Sequence, residues 1–288
     1  MSGPSPRTER GPVSVARGEA GMGGDPGPVR RRRGAQGPWI GRSVASALLL
    51  VLVIALWALA SRTELFDPII VPPPGDVLDG LRQLLTSSFL LTHLWATTYE
   101  TVLGFLFAAL ASVVLAVVLS NFNFVREVVY PYLVVFQILP KVALAPIFIA
   151  WLGFGGASKV VLAAAIAFFP MLINTMVGLE SASEGSVLLM RSLVANRWQM
   201  FTKLTLPTAL PYVFAGLKTS LTLSLIGAIV AEFEGAEFGL AVLLKSYSFQ
   251  FQMGLVYAVL LILSALGLVM YGLIELIERR VCFWRGER

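Results

Sequence analysis

The stretch RWQMFTKLTLPTALPYVFAGLK, residues 197–218, decides how the chain is read. It is basic and half apolar. Arg197, Gln199, Lys203 and Lys218 alternate with aromatic and aliphatic side chains, and two prolines, Pro207 and Pro211, stand four residues apart. It lies between two of the most hydrophobic runs of the chain, so its polar heads need a purpose at a membrane face.

The composition around it sets the class. The 288 residues are 57% hydrophobic and 14% charged, with a mean hydropathy of +0.79. Soluble domains carry about 25% charged residues, so the chain belongs in a bilayer. One cysteine, Cys282, and one histidine, His93, exclude a disulfide framework and a Cys/His zinc site. No Gly-Lys dipeptide occurs, which excludes a Walker A loop. GFGGASK at residues 153–159 only imitates one and reads as a flexible loop. Eight arginines against Glu9, Glu19 and Asp25 in residues 1–42 account for the whole net charge of +5. That tail is rich in Gly, Pro and Ser and is expected to be disordered. Its RRRR run, residues 30–33, reads either as a contact with anionic lipid or as a solvated charge run that sets topology.

A helix needs about 20 apolar residues to cross a bilayer. Residues 43–60, 101–125, 128–151, 160–179, 212–231 and 252–274 supply six such spans, with Lys141 in the third and Lys218 in the fifth. The first is longer than the apolar part of a signal peptide and begins too far into the chain, so it reads as an uncleaved anchor. Basic residues favour the inner side. With the N-terminus inside, seventeen of them fall on inner segments and four, Arg62, Arg82, Lys159 and Lys245, on outer ones. Both termini are therefore expected in the cytoplasm. Between spans one and two, Asp76 opens an amphipathic segment with Val77, Leu78, Leu81, Leu84 and Leu85 on one side, read as a helix on the membrane surface.

The quoted stretch then falls in the longest inner loop. Leu189, Leu193, Met200 and Leu204, with Val194, Ala195 and Phe201 beside them, follow helical spacing. This makes a short amphipathic helix or helix pair. Pro207 is expected to end it, and Pro211 suits the first turn of the next span. Such a helix either rests on the inner leaflet or enters the groove of a partner.

SLVANRWQMFTKLTLPTALPYVFAGLK, residues 192–218, resembles the cytoplasmic EAA loop of binding-protein-dependent ABC transporter permeases. Leu206 and Pro207 match the closing pair of that motif, Leu204 takes its Ile place, and Ala209-Leu210-Pro211 is also typical. The likeness continues through ILPKVALAPIFIAWLGFG (138–155), SKVVLAAAIAFFPMLINTMVGL (158–179) and GAIVAEFEGA (227–236), and covers residues 76–280. It is closest to the subgroup for nitrate, sulfonates such as taurine, bicarbonate, thiamine-pyrimidine precursors and riboflavin. The motif's Glu would fall at Leu188 and its Gly at Val194. Since Gly there permits a tight bend between two helices, Val194 is expected to straighten it.

The resemblance implies an all-α integral membrane protein of the type I importer kind, with six transmembrane helices in the bacterial plasma membrane. It divides the chain into a basic tail, 1–42, a permease domain, 43–280, and a cytoplasmic tail, 281–288. Its coupling loop, about residues 180–211, would place Leu188, Met190, Leu193, Val194, Ala195, Asn196, Phe201, Leu206 and Pro207 against an ATPase. The implied partners are two cytoplasmic ATPases, an extracytoplasmic substrate-binding protein, a second permease copy and membrane lipid, with no nucleic acid. The chain itself would bind no cofactor, and ATP would be used by the partner ATPase.

Ionisable residues inside spans are costly and tend to face a cavity. Lys141, beside Pro140, is either a cation lining an anion path or a lysine that snorkels or pairs with an acid. Asn174 is a path candidate whose commoner use is a hydrogen bond to another helix. Glu100 reads as interfacial and His93 as a surface residue. Glu232, Glu234 and Glu237 read as a solvated acidic turn. A secondary transporter would show charges on several spans and an inverted repeat. An intramembrane enzyme would show a catalytic Ser/His pair, paired Asp or a metal set. Neither pattern is visible in this sequence, so the chain is expected not to be an enzyme.

Overall fold

The computed structural model describes residues 39–61 and 71–284. The basic tail with its RRRR run lies outside them, as does the segment that follows the first helix. The chain divides at Val51–Leu52 into two units. Helix α1, Trp39–Ala60, spans that division and is described by itself. Its described apolar stretch, Ala47–Ala60, is short for a bilayer span.

The second unit is entirely helical among the described residues. It contains α2 (Pro74–Thr86), α3 (Leu90–Asn121), α4 (Asn123–Ile138), α5 (Ala145–Leu152), α6 (Gly156–Leu179), α7 (Glu184–Ser192), α8 (Arg197–Met200), α9 (Leu206–Gly235), α10 (Leu240–Phe249) and α11 (Met253–Val281). A 3₁₀ turn, Lys141–Leu144, joins α4 to α5, and a π-helical turn, Phe201–Thr205, joins α8 to α9. Helices α3, α6 and α11 and the run Arg197–Gly235 are long and apolar enough to cross a bilayer. The bent pair α4–α5 adds a fifth candidate.

The centre of the unit is α3, α6 and α9, and small residues at every fourth position bring them together. On α3 the buried ladder is Glu100, Gly104, Ala108, Ser112 and Ala116. On α6 it is Lys159, Ala163, Ala167, Met171 and Thr175. On α9 it is Gly216, Ser220, Ser224, Ala228 and Glu232. Residues four apart share a helix face, and small ones let backbones approach closely enough for dispersion and side-chain hydrogen bonds to hold helices together in lipid. Ser112 Oγ donates to Phe168 O (2.8 Å), Ser220 Oγ to Ala167 O (2.9 Å) and Ser224 Oγ to Thr101 O (2.8 Å). Each joins one of the three helices to another. A Cβ on Gly104 would stand 2.6 Å from Ala163 Cβ, and one on Gly227 would stand 2.7 Å from Ala163 Cα.

Two expectations change here. Helix α2 packs on α11 rather than simply resting on a membrane surface: Val77 and Leu84 are buried, and Gly80 sits against the Gly254 backbone. Leu78 and Leu85, expected on the same face, stay exposed. The third span is not one helix. The chain turns by 86° between α4 and α5, because Pro140 cannot continue α4 and leaves Leu139 extended (φ −55°, ψ 131°).

The ladder predicts an asymmetry between glycines. Gly104→Ala should cost about 1–3 kcal/mol, since its methyl meets another methyl on a backbone that cannot withdraw. Gly272 lies in α11, where an added methyl would meet no atom within 4 Å, so Gly272→Ala should gain up to about 1 kcal/mol from helix propensity. Thermal unfolding of the two purified variants would check this, and equal midpoints would refute the ladder as the central contact.

Candidate functional site

The α7–α8 loop stands at one end of the bundle. Ser183 caps α7, its Oγ accepting from Ser186 N (3.3 Å), and Glu184 lies in the first turn, where a carboxylate complements the helix dipole. The end of α7 carries the main finding. Val194 has φ +56°, the left-handed region that a β-branched residue avoids. Val194 N donates to Arg191 O (2.9 Å) and Ala195 N to Met190 O (3.1 Å). These two bonds form the Schellman closure, in which glycine ordinarily takes the left-handed position. The bend is therefore kept without its glycine, contrary to the expectation that Val194 would straighten it. The hydrogen bonds, together with the helix that follows, outweigh a local cost of about 1–2 kcal/mol.

That following helix has a reciprocal cap. Gln199 N donates to Asn196 Oδ1 (2.7 Å), and Asn196 N donates to Gln199 Oε1 (3.0 Å). Beyond it, Pro207 does not end the helix. The π-helical turn, in which Leu206 N reaches Phe201 O five residues back, absorbs the irregularity, and the run Arg197–Gly235 continues as one 39-residue helix. Leu188, Leu193 and Val194 cluster exposed at the bend, Val194 being 88% exposed. Asn196 is also exposed, whereas Met190, Ala195, Phe201 and Pro207 are half-buried at its base. Leu206 lies just on the exposed side. Trp198, 71% exposed and 6.1 Å from the Phe201 ring, belongs to the same surface. Its place in the quoted stretch could have indicated this.

The α4–α5 break holds Pro140 and Lys141 together. Lys141 Nζ donates to Gln137 O (3.0 Å), one of the carbonyls left open at the end of α4, and lies 4.7 Å from the centroid of the Phe169 ring. A helix C-terminus and a ring face both favour a cation, so the charge has local partners. A cavity of about 450 Å³ lies elsewhere, between α2 and the α10–α11 turn. The Lys141 cavity is about 330 Å³ and is also lined by Gln137, Phe169, Pro170 and Leu223. Asn174 does not line it. Its Nδ2 donates to Pro170 O (2.7 Å) on its own helix, and its Cβ fills the space over Gly216.

At the end of the bundle opposite the α7–α8 loop, each small-residue ladder terminates in an ionisable side chain. Glu100, Lys159 and Glu232 are 4%, 2% and 1% exposed. The solvated reading of Glu232 does not hold, and Glu100 is buried among helices. Glu234 and Glu237 are exposed. Glu232 accepts from Thr97 Oγ1 and from Ala241 N (2.7 Å). Thr97 Oγ1 in turn accepts from Leu240 N (2.8 Å), so the pair caps α10. Glu100 lies against Glu232, with Lys159 beside both. Lys159 Nζ also donates to Gly155 O (3.0 Å), and Ser158 Oγ to Gly153 O (2.8 Å). The 153–155 turn is thus tied down rather than flexible. Nδ1 of half-buried His93 stands 3.0 Å from Gly239 N, a backbone contact in place of the expected surface role. At φ +146°, Gly239 leaves no room for a side chain: a Cβ would stand 2.2 Å from Glu232 Cδ.

Comparison with known proteins bears on this arrangement. The formylaminopyrimidine transport permease protein ThiX of Halalkalibacterium halodurans is 31% identical over 248 residues, 86% of this chain and 98% of that protein. The riboflavin transport system permease protein RibX of Chloroflexus aurantiacus is 33% identical, over 90% of this chain and 95% of its own length. A putative aliphatic sulfonates transport permease protein, SsuC, of Bacillus subtilis is 30% identical, over 83% and 87%. Among solved structures, an inward-facing MetNI methionine ABC transporter matches with a TM-score of 0.57 at 19% identity, covering 67% of this chain and 94% of that one, a likeness of fold. Residues 101–282 match the inner membrane component of binding-protein-dependent transport systems. The chain belongs to that family and is a multi-pass ABC transporter permease.

Proposed function

We propose that this chain forms the translocation path of an ATP-driven importer and takes its energy from a separate cytoplasmic ATPase through the α7–α8 loop. The observation that carries this is the bend at Val194. A Schellman closure, a reciprocal cap and a continuous helix hold Leu188, Leu193 and Val194 outward at one tip. An apolar tip on a rigid mount suits a groove in a partner better than a flexible loop would.

In this reading the permease domain is 43–280 with six spans, both termini are cytoplasmic, and the membrane is the bacterial inner membrane. The seventeen-to-four bias of basic residues supports that orientation. Two copies enclose the path, an extracytoplasmic binding protein delivers the solute, and the chain has no enzymatic activity of its own. Pro140 and Lys141, at the broken helix, line the path. Broken helices in membranes are tolerated where the freed backbone faces protein or water. The solute is small and polar, a sulfonate, nitrate or vitamin precursor; the named relatives are permeases for formylaminopyrimidine and riboflavin and a putative one for aliphatic sulfonates.

Leu193→Asp and Phe201→Asp should release the ATPase from membranes while the permease stays inserted, since an unpaired charge buried at an interface costs several kcal/mol. Wild-type co-purification of the ATPase with both variants would reject the docking role.

The bend itself gives a second test. Val194→Gly should retain the ATPase and unfold at an equal or higher temperature, because relief of the left-handed strain offsets the entropy of glycine. Val194→Pro cannot adopt φ +56° and removes the N–H that bonds Arg191 O, so it should lose the ATPase. A clearly lower midpoint for Val194→Gly would contradict a strained bend.

A further inference from the structure

A second cleft beside α9 is larger than the one at Lys141. A cavity of about 540 Å³ opens between α9 and α11, lined by Lys218, Thr219, Thr222, Leu223, Tyr271 and Glu278. Leu223 also lines the Lys141 cavity, so the two adjoin along one face of α9. Across the cleft, Lys218 Nζ lies 2.6 Å from Glu278 Oε2, each side chain less than one-fifth exposed, and 5.2 Å from the Tyr271 ring centroid. Lys218 lies within the fifth span, and a charged group there faces protein or a water-filled cavity. Thr219 and Thr222 donate their hydroxyl hydrogens to Ala215 O and Lys218 O, and Lys218 is the cation this lining offers. Lysine thus recurs twice along the same face, each time over an aromatic ring. Lys141 has a neutral carbonyl as partner, whereas Lys218 has a carboxylate.

We propose that the α9–α11 cleft is an inner station for solutes bearing an anionic group, in which Glu278 occupies Lys218 until that group takes its place. The proposal rests on the reading of Lys141 as a path residue. An anion leaving Lys141 along α9 next meets an ammonium whose partner is a carboxylate of like charge to itself. Exchange of partners leaves the lysine paired throughout and opens the ion pair between α9 and α11, while Phe214 and Leu221 stay packed with Met270 and Ile274. The station therefore selects for a negative group of sulfonate or carboxylate type.

Thiol accessibility of the assembled transporter in nanodiscs tests this. In a Cys282→Ser chain, Thr222→Cys reports the cleft, Val142→Cys the Lys141 cavity and Leu110→Cys the exposed apolar face of α3. The probes are 2-sulfonatoethyl and 2-(trimethylammonio)ethyl methanethiosulfonate, one anionic and one cationic. Thr222→Cys should react at least about tenfold faster than Leu110→Cys. Adding Glu278→Gln should raise the ratio of anionic to cationic rates about tenfold, and adding Lys218→Met should lower it, as expected for a cleft lined by one sign of charge. Methanesulfonate should slow labelling in the Glu278→Gln chain more than equal chloride does. A Thr222→Cys rate no higher than that of Leu110→Cys overturns the station, as does a ratio unmoved by Glu278→Gln or equal slowing by both anions. Val142→Cys reports separately on the Lys141 path. If it reacts while Thr222→Cys does not, the path stands and the station falls.

Discussion

The approach of α3, α6 and α9 through every fourth residue is the constraint on which the rest of this structure depends. In lipid the hydrophobic effect does not drive helices together, and what remains is close packing with a few side-chain hydrogen bonds worth about 0.6 kcal/mol each. Gly104, Ala163 and Gly227 allow the approach, and Ser112, Ser220 and Ser224 turn it into bonds between helices. The same periodicity places Glu100, Lys159 and Glu232 at the far end of the three ladders. Once there, they are shut off from solvent, and Lys159 fastens the 153–155 turn while Glu232 fastens the start of α10. Removing one partner from such a buried set leaves an uncompensated group and costs about 3–5 kcal/mol.

The opposite end is organised by a local conflict that the sequence resolves at a cost. A valine in the left-handed region is a strained choice, yet both Schellman bonds form and Asn196 begins the next helix at once. The position is almost fully exposed, so the branched side chain meets no neighbour that would raise the cost further. What it adds is apolar surface at the tip of the bend, where a glycine would offer none.

Much of this was legible in the sequence. The apolar runs marked α3, α6, α9 and α11, and the spacing of Leu189, Leu193 and Leu204 marked the loop helices. Two features were not. Hydropathy reads how apolar a run is but not which side chains face one another, so Glu232 looked like part of a solvated turn with Glu234 and Glu237. The signal was the four-residue repeat Gly216, Ser220, Ser224, Ala228, which points to Glu232 and away from its neighbours. The second concerns proline. The rule that the residue before it leaves the helical region predicted an end at Pro207. A π-helical turn offers another solution, because widening one turn spares the missing donor. At Pro140 the rule held, and the chain turned by 86°.

That contrast between the two prolines determines how the loop is joined to the bundle. From Arg197 the helix runs without interruption to Gly235, about 58 Å at 1.5 Å per residue. Along that length α9 meets α6 and α3 through small residues that leave no room for sliding. A displacement at the Val194 bend is therefore borne by α9 together with α6 and α3, not absorbed within it. The contacts of this group with α4–α5 and α11 differ in kind. One is a helix broken at Leu139–Pro140, and the other is a cleft bridged by Lys218 and Glu278. Each also carries buried apolar contacts, Ala145 with Leu162 and Ala231 at the first and Phe214 and Leu221 against Met270 and Ile274 at the second, but an ion pair can exchange partners where an interlocked glycine contact cannot. Both seams adjoin the cavities along the same face of α9.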